Sequence, residues 1–286
     1  MQAPADVDRI NKVIDLDRYP IHVPQSEGFA KLVCDCVEQL ADDGCRVIEG
    51  FLRPGAVARL AQQAEALTPL AHRSDIQHNP YFSPDDETFP IDHPRRHFQW
   101  RNNGFVCTDL IPAESELWTI FNLAAMTEFV QQAFSKKQLF QYEDPLAQMP
   151  INTMRPGDQF PWHFDTNEFT VTIVLQVADE GGLFEYAPNI RSTDDENYEA
   201  VATVLAGDKS LVNRVVLNEG DIQLFTGRFT LHRVTQVAGK RNRHVAIPSW
   251  AAAPEMIGQP HRTKQIYGRL TEAHHQAMMR GDVLAD

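Results

Sequence analysis

The feature that most limits what this chain can fold into lies between Gln138 and Trp250. There, short runs rich in β-branched and aromatic residues alternate with turn signals: QLFQYE, INTMRPG, EFTVTIVLQVA, GLFEYA, RVVLNEG, DIQLFTG, LHRVTQV and RHVAIPSWA. The breaks fall at Pro156-Gly157, Gly181-Gly182, Gly220-Asp221 and Gly239-Lys240. Eight strands of this length and spacing predict a β-sandwich or barrel, interrupted by a charged segment and a short helix at STDDENYEAVATVLAG.

The sequence before residue 138 has a different period. Phe29, Leu32, Val33, Cys36, Val37 and Leu40 share one helical face in a segment that stops at Gly44. A short strand, CRVIEGF, follows, and then a helix from Pro54 to Leu67 with proline at its start. From about Ala71 to Gly104 prolines, histidines and charges predict a long surface or active-site loop, suited to a lid. A further helix is expected from Ala113 to Phe134, and the tail, with TEAHHQAMMRG, should end in a helix covering the barrel. The expected organisation is one domain over 1–286: a helical lead-in and lid (1–137), a β core (138–251) and a C-terminal extension (252–286).

Within the β core, Pro161-Trp162-His163-Phe164-Asp165-Thr166 lies between two predicted strands. Residues two apart on an extended chain point the same way, so His163 and Asp165 form a two-ligand metal clamp. His232, in LFTGRFTLHRV, supplies a third ligand from another strand. Two imidazoles and one carboxylate on one face of a metal leave positions open, the arrangement of non-haem Fe(II) oxygenases and unlike a closed structural zinc site. Two open positions suit a bidentate 2-oxo acid and the third suits O2. A distal carboxylate on that acid needs a fixed cation, and a guanidinium binds carboxylate through two parallel hydrogen bonds. Arg243, eleven residues after His232 and back along the next strand, meets that need, with Arg241 of the same parity as the substitute.

HFD, His232, Arg243 and the run GDIQLFTGRFTLHRVTQV together resemble the double-stranded β-helix oxygenases dependent on Fe(II) and 2-oxoglutarate. ADDGCRVIEGFLRPGAVARL resembles the helix-strand-helix lead-in of the same superfamily. PWHFDTNEFTVTIVLQ and GGLFEYAPNIR are similar to the group of free amino-acid hydroxylases and their lysine-halogenase relatives. The resemblance, over roughly Ala41 to Ala251, implies a jelly-roll, cupin-like core, mainly β with helical additions, that uses Fe(II), 2-oxoglutarate and O2. It implies hydroxylation of an unactivated C–H bond in a small polar substrate, a free amino acid such as lysine. In the halogenase relatives a small residue replaces the carboxylate ligand and admits chloride; here Asp165 stands at that position, which favours hydroxylation. The resemblance also implies a substrate carboxylate held by an arginine from the region of Arg101. Thr166, next to the ligand aspartate, is the other substrate contact expected.

Two other readings compete: an oxygenase of the phytanoyl-CoA hydroxylase kind acting on a carrier-bound or natural-product substrate, and a jelly-roll binding protein without catalysis. Trp162, Glu168 and Glu185 are candidate pocket walls. His72, His78, His93, His97 and His244 read as structural or solvated, and His274-His275 as surface residues. The formal net charge of -13 argues against nucleic acid and anionic membranes as partners. The start has neither a basic nor an apolar segment of a leader, so the expectation is a soluble cytoplasmic enzyme, with a homodimer compatible. Cys34, Cys36, Cys45 and Cys107 form no CxxC pair and read as free thiols.

Overall fold

The computed structural model describes residues 4–279. Its centre is a seven-stranded antiparallel sheet in the order Cys45–Ile48, Ile222–Phe225, Thr170–Gln176, Arg243–Ala246, Ile151–Met154, Gln99–Val106, His72–His78. A four-stranded sheet, in the order Asn213–Val215, Phe184–Ala187, Leu231–Val234, Phe160–His163, faces it. Side chains of the two sheets meet between them: Cys45 and Phe225 pack with Phe184 and Tyr186, and Met154 packs with Val234. This is the double-stranded β-helix.

Alternation along each strand of the larger sheet sorts its residues between two environments. Ile222 and Leu224 face a large apolar core, whereas Gln223 and Phe225 face the space between the sheets. In Arg243–Ala246, Arg243 and Val245 face that space while His244 and Ala246 turn away. The outer face is covered by helices Glu27–Asp43, Pro54–Leu67 and Ala124–Ala133, whose apolar stripes join it in one core. The first of these is defined at both ends. Ser26 accepts from the Phe29 amide, and Gly44, at φ 65°, takes the left-handed turn that returns its amide to Leu40. Burying Phe29, Leu32 and Leu40 against the sheet stabilises the packing by roughly 1.5–3 kcal/mol per side chain.

Two expectations are corrected. The stretch from Ala71 to Gly104 is not one loop, because His72–His78 pairs with Gln99–Val106 from His72↔Phe105 to His78↔Gln99 and joins the sheet edge. An edge hairpin tolerates the polar residues that concealed it, and only 79–98 connects the strands. The helix expected over Ala113–Phe134 is two, Glu116–Phe121 and Ala124–Ala133, and both bury apolar faces in the same core. The expected terminal helix is Glu272–Met279, preceded by an unforeseen one, Pro260–Tyr267; Arg280 and Gly281 of that expectation lie outside the described residues. All four cysteines are free. Among the described residues no helix is long and apolar enough to cross a membrane.

Candidate metal centre and substrate pocket

His163 ends the strand Phe160–His163, and His232 lies opposite it as its Cα partner on Leu231–Val234. The ring centroids are 4.1 Å apart. Each Nδ1 faces a backbone carbonyl, that of Pro161 at 2.7 Å and that of Thr230 at 2.9 Å. A carbonyl only accepts, so both Nδ1 atoms carry the proton and both Nε2 lone pairs point at one spot. Burial, reinforced by neighbouring His232, holds the His163 pKa well below its ordinary value and keeps the ring neutral.

Asp165 lies just beyond the strand, its amide donating to the Gly227 carbonyl at 3.0 Å. Oδ1 is 3.9 Å from Nε2 of His163 and 3.5 Å from that of His232. Oδ2 accepts a 2.7 Å hydrogen bond from the Thr170 hydroxyl. Burial by itself would raise the Asp165 pKa, but His232, His163 and Thr170 outweigh it and hold the carboxyl below the usual range. Gly227 leaves room for the carboxylate: a Cβ there would be 2.2 Å from Oδ2. The potential ligand atoms of the three residues lie within 4.8 Å of one another, a donor set that fits Fe(II). Aromatic rings enclose it, with Phe160 stacked on His163 at 3.8 Å and Phe184 and Phe225 flanking His232.

A cavity of about 510 Å³ opens in front of these ligands, between the sheets and under the helix Pro260–Tyr267. Arg243 lines it, is 7% exposed, and has no hydrogen-bond or ion-pair partner among the described residues. Burial lowers its pKa to about 10, which leaves it charged at neutral pH. An unpaired buried guanidinium beside an open-sided ligand set fits the distal carboxylate of 2-oxoglutarate. Arg241, the substitute, faces outward and pairs with Glu219 at 2.6 Å. His244 pairs with Glu65 at 2.8 Å on the helix side of the sheet, as its parity required.

Thr166 lines the cavity, and its carbonyl accepts from Arg228. Arg101 does not line it. Arg101 is fully buried behind Phe160 and Phe82, 5.4 and 6.0 Å from their ring centroids, and none of its three guanidinium nitrogens has a hydrogen-bond partner. Of the candidate walls, Glu168 lines the cavity and pairs with Lys136, whereas Trp162 packs under Arg233 and Glu185 is paired with Arg214 and Arg233. His78 is buried and stacks on Phe82 at 4.2 Å. His274 is not a surface residue: it is fully buried and faces Asp144 at 2.9 Å, a partner 130 residues away. Arg95, Arg228 and Arg262 also border the site. The sequence held no sign of this, because the helix carrying Arg262 has one buried residue and little apolar pattern.

A family profile described as Halogenase D matches residues 31–267. No curated protein matches. Among solved structures, AviO1 from Streptomyces viridochromogenes Tue57 is similar at TM-score 0.53 and 19% identity, covering 77% of this chain and 96% of that one. SnoN, an alpha-ketoglutarate-dependent epimerase from nogalamycin biosynthesis, is similar at TM-score 0.51 and 13% identity, covering 76% and 83%. A Trichoplax adhaerens prolyl hydroxylase, solved with a hypoxia inducible factor peptide, is similar at 0.50 and 14%, covering 77% and 88%. This chain therefore belongs to the Halogenase D family, on the double-stranded β-helix fold shared with 2-oxoglutarate/Fe(II) oxygenases.

Proposed function

We propose that the protein is a 2-oxoglutarate-dependent dioxygenase that hydroxylates an unactivated C–H bond of a small polar substrate. The observation that carries this reading is the convergence of His163, Asp165, His232 and unpaired Arg243 on one cavity. When bound, Fe(II) with 2-oxoglutarate and O2 supplies the oxidising chemistry, yielding succinate, carbon dioxide and an oxygenated substrate. The protein's part is positional. The two carbonyl-anchored histidines and the Thr170-anchored aspartate fix the ligand atoms, Arg243 grips the distal carboxylate, and Phe160, Phe184 and Phe225 keep water from the face they cover.

Although the family description speaks of a halogenase, the carboxylate position is filled. Asp165 has its own hydroxyl donor and a glycine-sized recess, both matched to a carboxylate, and this supports hydroxylation over halogenation. The resemblance implies a free amino acid such as lysine, with an arginine from the region of Arg101 as the partner of the substrate carboxylate, and Thr166, which follows Asp165 and lines the cavity, is the other substrate contact expected. In the structure Arg101 lies behind Phe82 and Phe160 and outside the cavity lining. A carrier-bound or natural-product substrate is the second reading, favoured by a further cavity of about 400 Å³ that adjoins the first.

The test is anaerobic addition of Fe(II) and 2-oxoglutarate, expected to produce a weak visible charge-transfer band that is lost in His163→Ala and His232→Ala. Succinate release under air with amino acids, set against acyl thioesters, identifies the substrate class. The product should gain one oxygen atom and no halogen even with chloride present. Absence of the band in the unmodified protein refutes the iron reading.

A further inference from the structure

The cavity of about 400 Å³ shares Phe82, Phe164, Asp165, Thr166, Arg228 and Arg262 with the metal-site cavity. Four arginines line it, namely Arg95, Arg191, Arg228 and Arg262. Its carboxylates are Asp165, a metal ligand, and Glu196, which Arg191 holds at 2.8 Å. In the larger cavity the one further carboxylate, Glu168, is held by Lys136 at 2.8 Å. Among the described residues Arg95, Arg228 and Arg262 form no ion pair, and the carboxylate whose charge acts on Arg262 is the metal ligand Asp165. Arg228 donates to the Thr166 carbonyl, while Arg95 and Arg262 lie over Phe89 and Phe82, 5.1 and 4.9 Å from the ring centroids.

This distribution is unusual for a chain with 39 acidic and 26 basic side chains, where a carboxylate partner is easy to supply. The overall charge repels anions, so three unmatched guanidiniums at one mouth create a local field of the opposite sign, able to draw an anion in. Guanidinium forks also match carboxylate and phosphate oxygens in geometry. A lysine-like side chain, which the resemblance implies, meets in these cavities no carboxylate other than the metal ligand Asp165 and the paired Glu168 and Glu196.

We infer that the substrate carries, besides any α-carboxylate, a terminal anionic group, carboxylate or phosphate, remote from the carbon that is oxidised, and that Arg95, Arg228 and Arg262 bind it in the adjoining cavity. The inference rests on the oxygenase reading and names its substrate class. The anion is distinct from the distal carboxylate of 2-oxoglutarate, for which Arg243 is left in the main cavity.

The experiment is calorimetric titration of the full chain loaded with redox-inert Ni(II) and 2-oxoglutarate, using matched compounds that differ in the terminal group alone. One set is glutamate, glutamine and ornithine; the other is O-phosphoserine and serine. The anionic member of a set should bind about tenfold or more tightly than its neutral or cationic counterpart, the scale of one charge-assisted hydrogen bond. Whichever anionic member binds better identifies the group as carboxylate or phosphate. Arg262→Gln and Arg95→Gln should each weaken that member about tenfold and leave 2-oxoglutarate affinity unchanged, whereas Arg243→Gln should do the reverse. Equal binding by the neutral or cationic member, no binding by any anionic member, or an effect of Arg262→Gln on 2-oxoglutarate alone overturns the inference. Failure of the unmodified chain to take up 2-oxoglutarate in the loading step overturns the oxygenase reading itself.

Discussion

Thr170→Val replaces the hydroxyl that holds Asp165 with a methyl group of the same shape. Valine keeps the β-branched side chain in register opposite Phe225, so the strand should be undisturbed. What is lost is the 2.7 Å bond to Oδ2, a hydrogen bond to a charged acceptor. Such bonds contribute about 1.5–3 kcal/mol, and each 1.4 kcal/mol is a factor of about ten in an equilibrium constant. The Asp165 side chain is 26% exposed, so water partly replaces the lost donor and the effect belongs at the lower end. Fe(II) affinity should therefore fall about tenfold, within the range seen when the partner of a metal ligand is removed. Anaerobic Fe(II) titration in the presence of saturating 2-oxoglutarate measures it through the charge-transfer absorbance. The metal-free variant should melt like its parent, and Thr170→Ser should restore affinity. Gly227→Ala is the sterically opposite test, since its Cβ would lie 2.2 Å from Oδ2 and 2.6 Å from the Thr170 hydroxyl. If Thr170→Val binds Fe(II) as well as the parent does, the hydroxyl does not orient the aspartate.

Arg243→Gln should raise the KM for 2-oxoglutarate about ten- to a hundredfold, and Arg243→Lys should recover only part of it, because an ammonium lacks the two-pronged fit. Steady-state succinate release at varied 2-oxoglutarate checks both. For His78, 3% exposed, burial lowers the pKa from 6.5 to about 4, so between these values the unfolded chain binds a proton that the folded chain does not. Stability therefore falls as pH drops through this window, by about 3 kcal/mol in total from this group; urea denaturation of metal-free protein at pH 7 and pH 4 should show a smaller difference in His78→Phe. Of the four thiols, Cys34 alone is exposed and the other three are buried. A thiol reagent should thus modify one cysteine in the native protein and four in denaturant. The Cys34 rate should climb with pH, because its hydrogen bond to Glu38 raises its pKa.

The parts of the site that depend on strand parity could be read from the sequence, because a period of two is decided locally. Parity put Arg243 in the cavity and His244 on the helix side. The pairing of His163 with His232 was not legible in the same way, since cross-strand register over sixty-nine residues is set by the whole sheet and not by either segment. Long-range partners account for the failures as well. His274 looked like a surface residue because its buried partner, Asp144, comes from the start of the β core. The hairpin His72–His78 with Gln99–Val106 resembled a loop because an edge position does not demand an apolar face. Arg101 was expected in the pocket and lies one layer behind it, a distinction of depth that periodicity does not encode.

Formal charge connects the metal centre to the arginines around it. Fe(II) would bring two positive charges, Asp165 one negative, and 2-oxoglutarate two negative, while His163 is held neutral by its burial. With Arg243 the sum over the loaded centre is zero, so no negative charge is left over to balance any other cation. Arg101 nevertheless remains fully buried with no hydrogen-bond partner, and Arg262 shares the Phe82 ring with it on the cavity side. Burying an unmatched charge costs several kcal/mol, and natural chains seldom accept that cost without a counterion. Cofactor and co-substrate together do not supply one. The substrate is the one component still to be added, and an anionic substrate would neutralise what the cofactors leave unbalanced, which a basic amino acid side chain could not do.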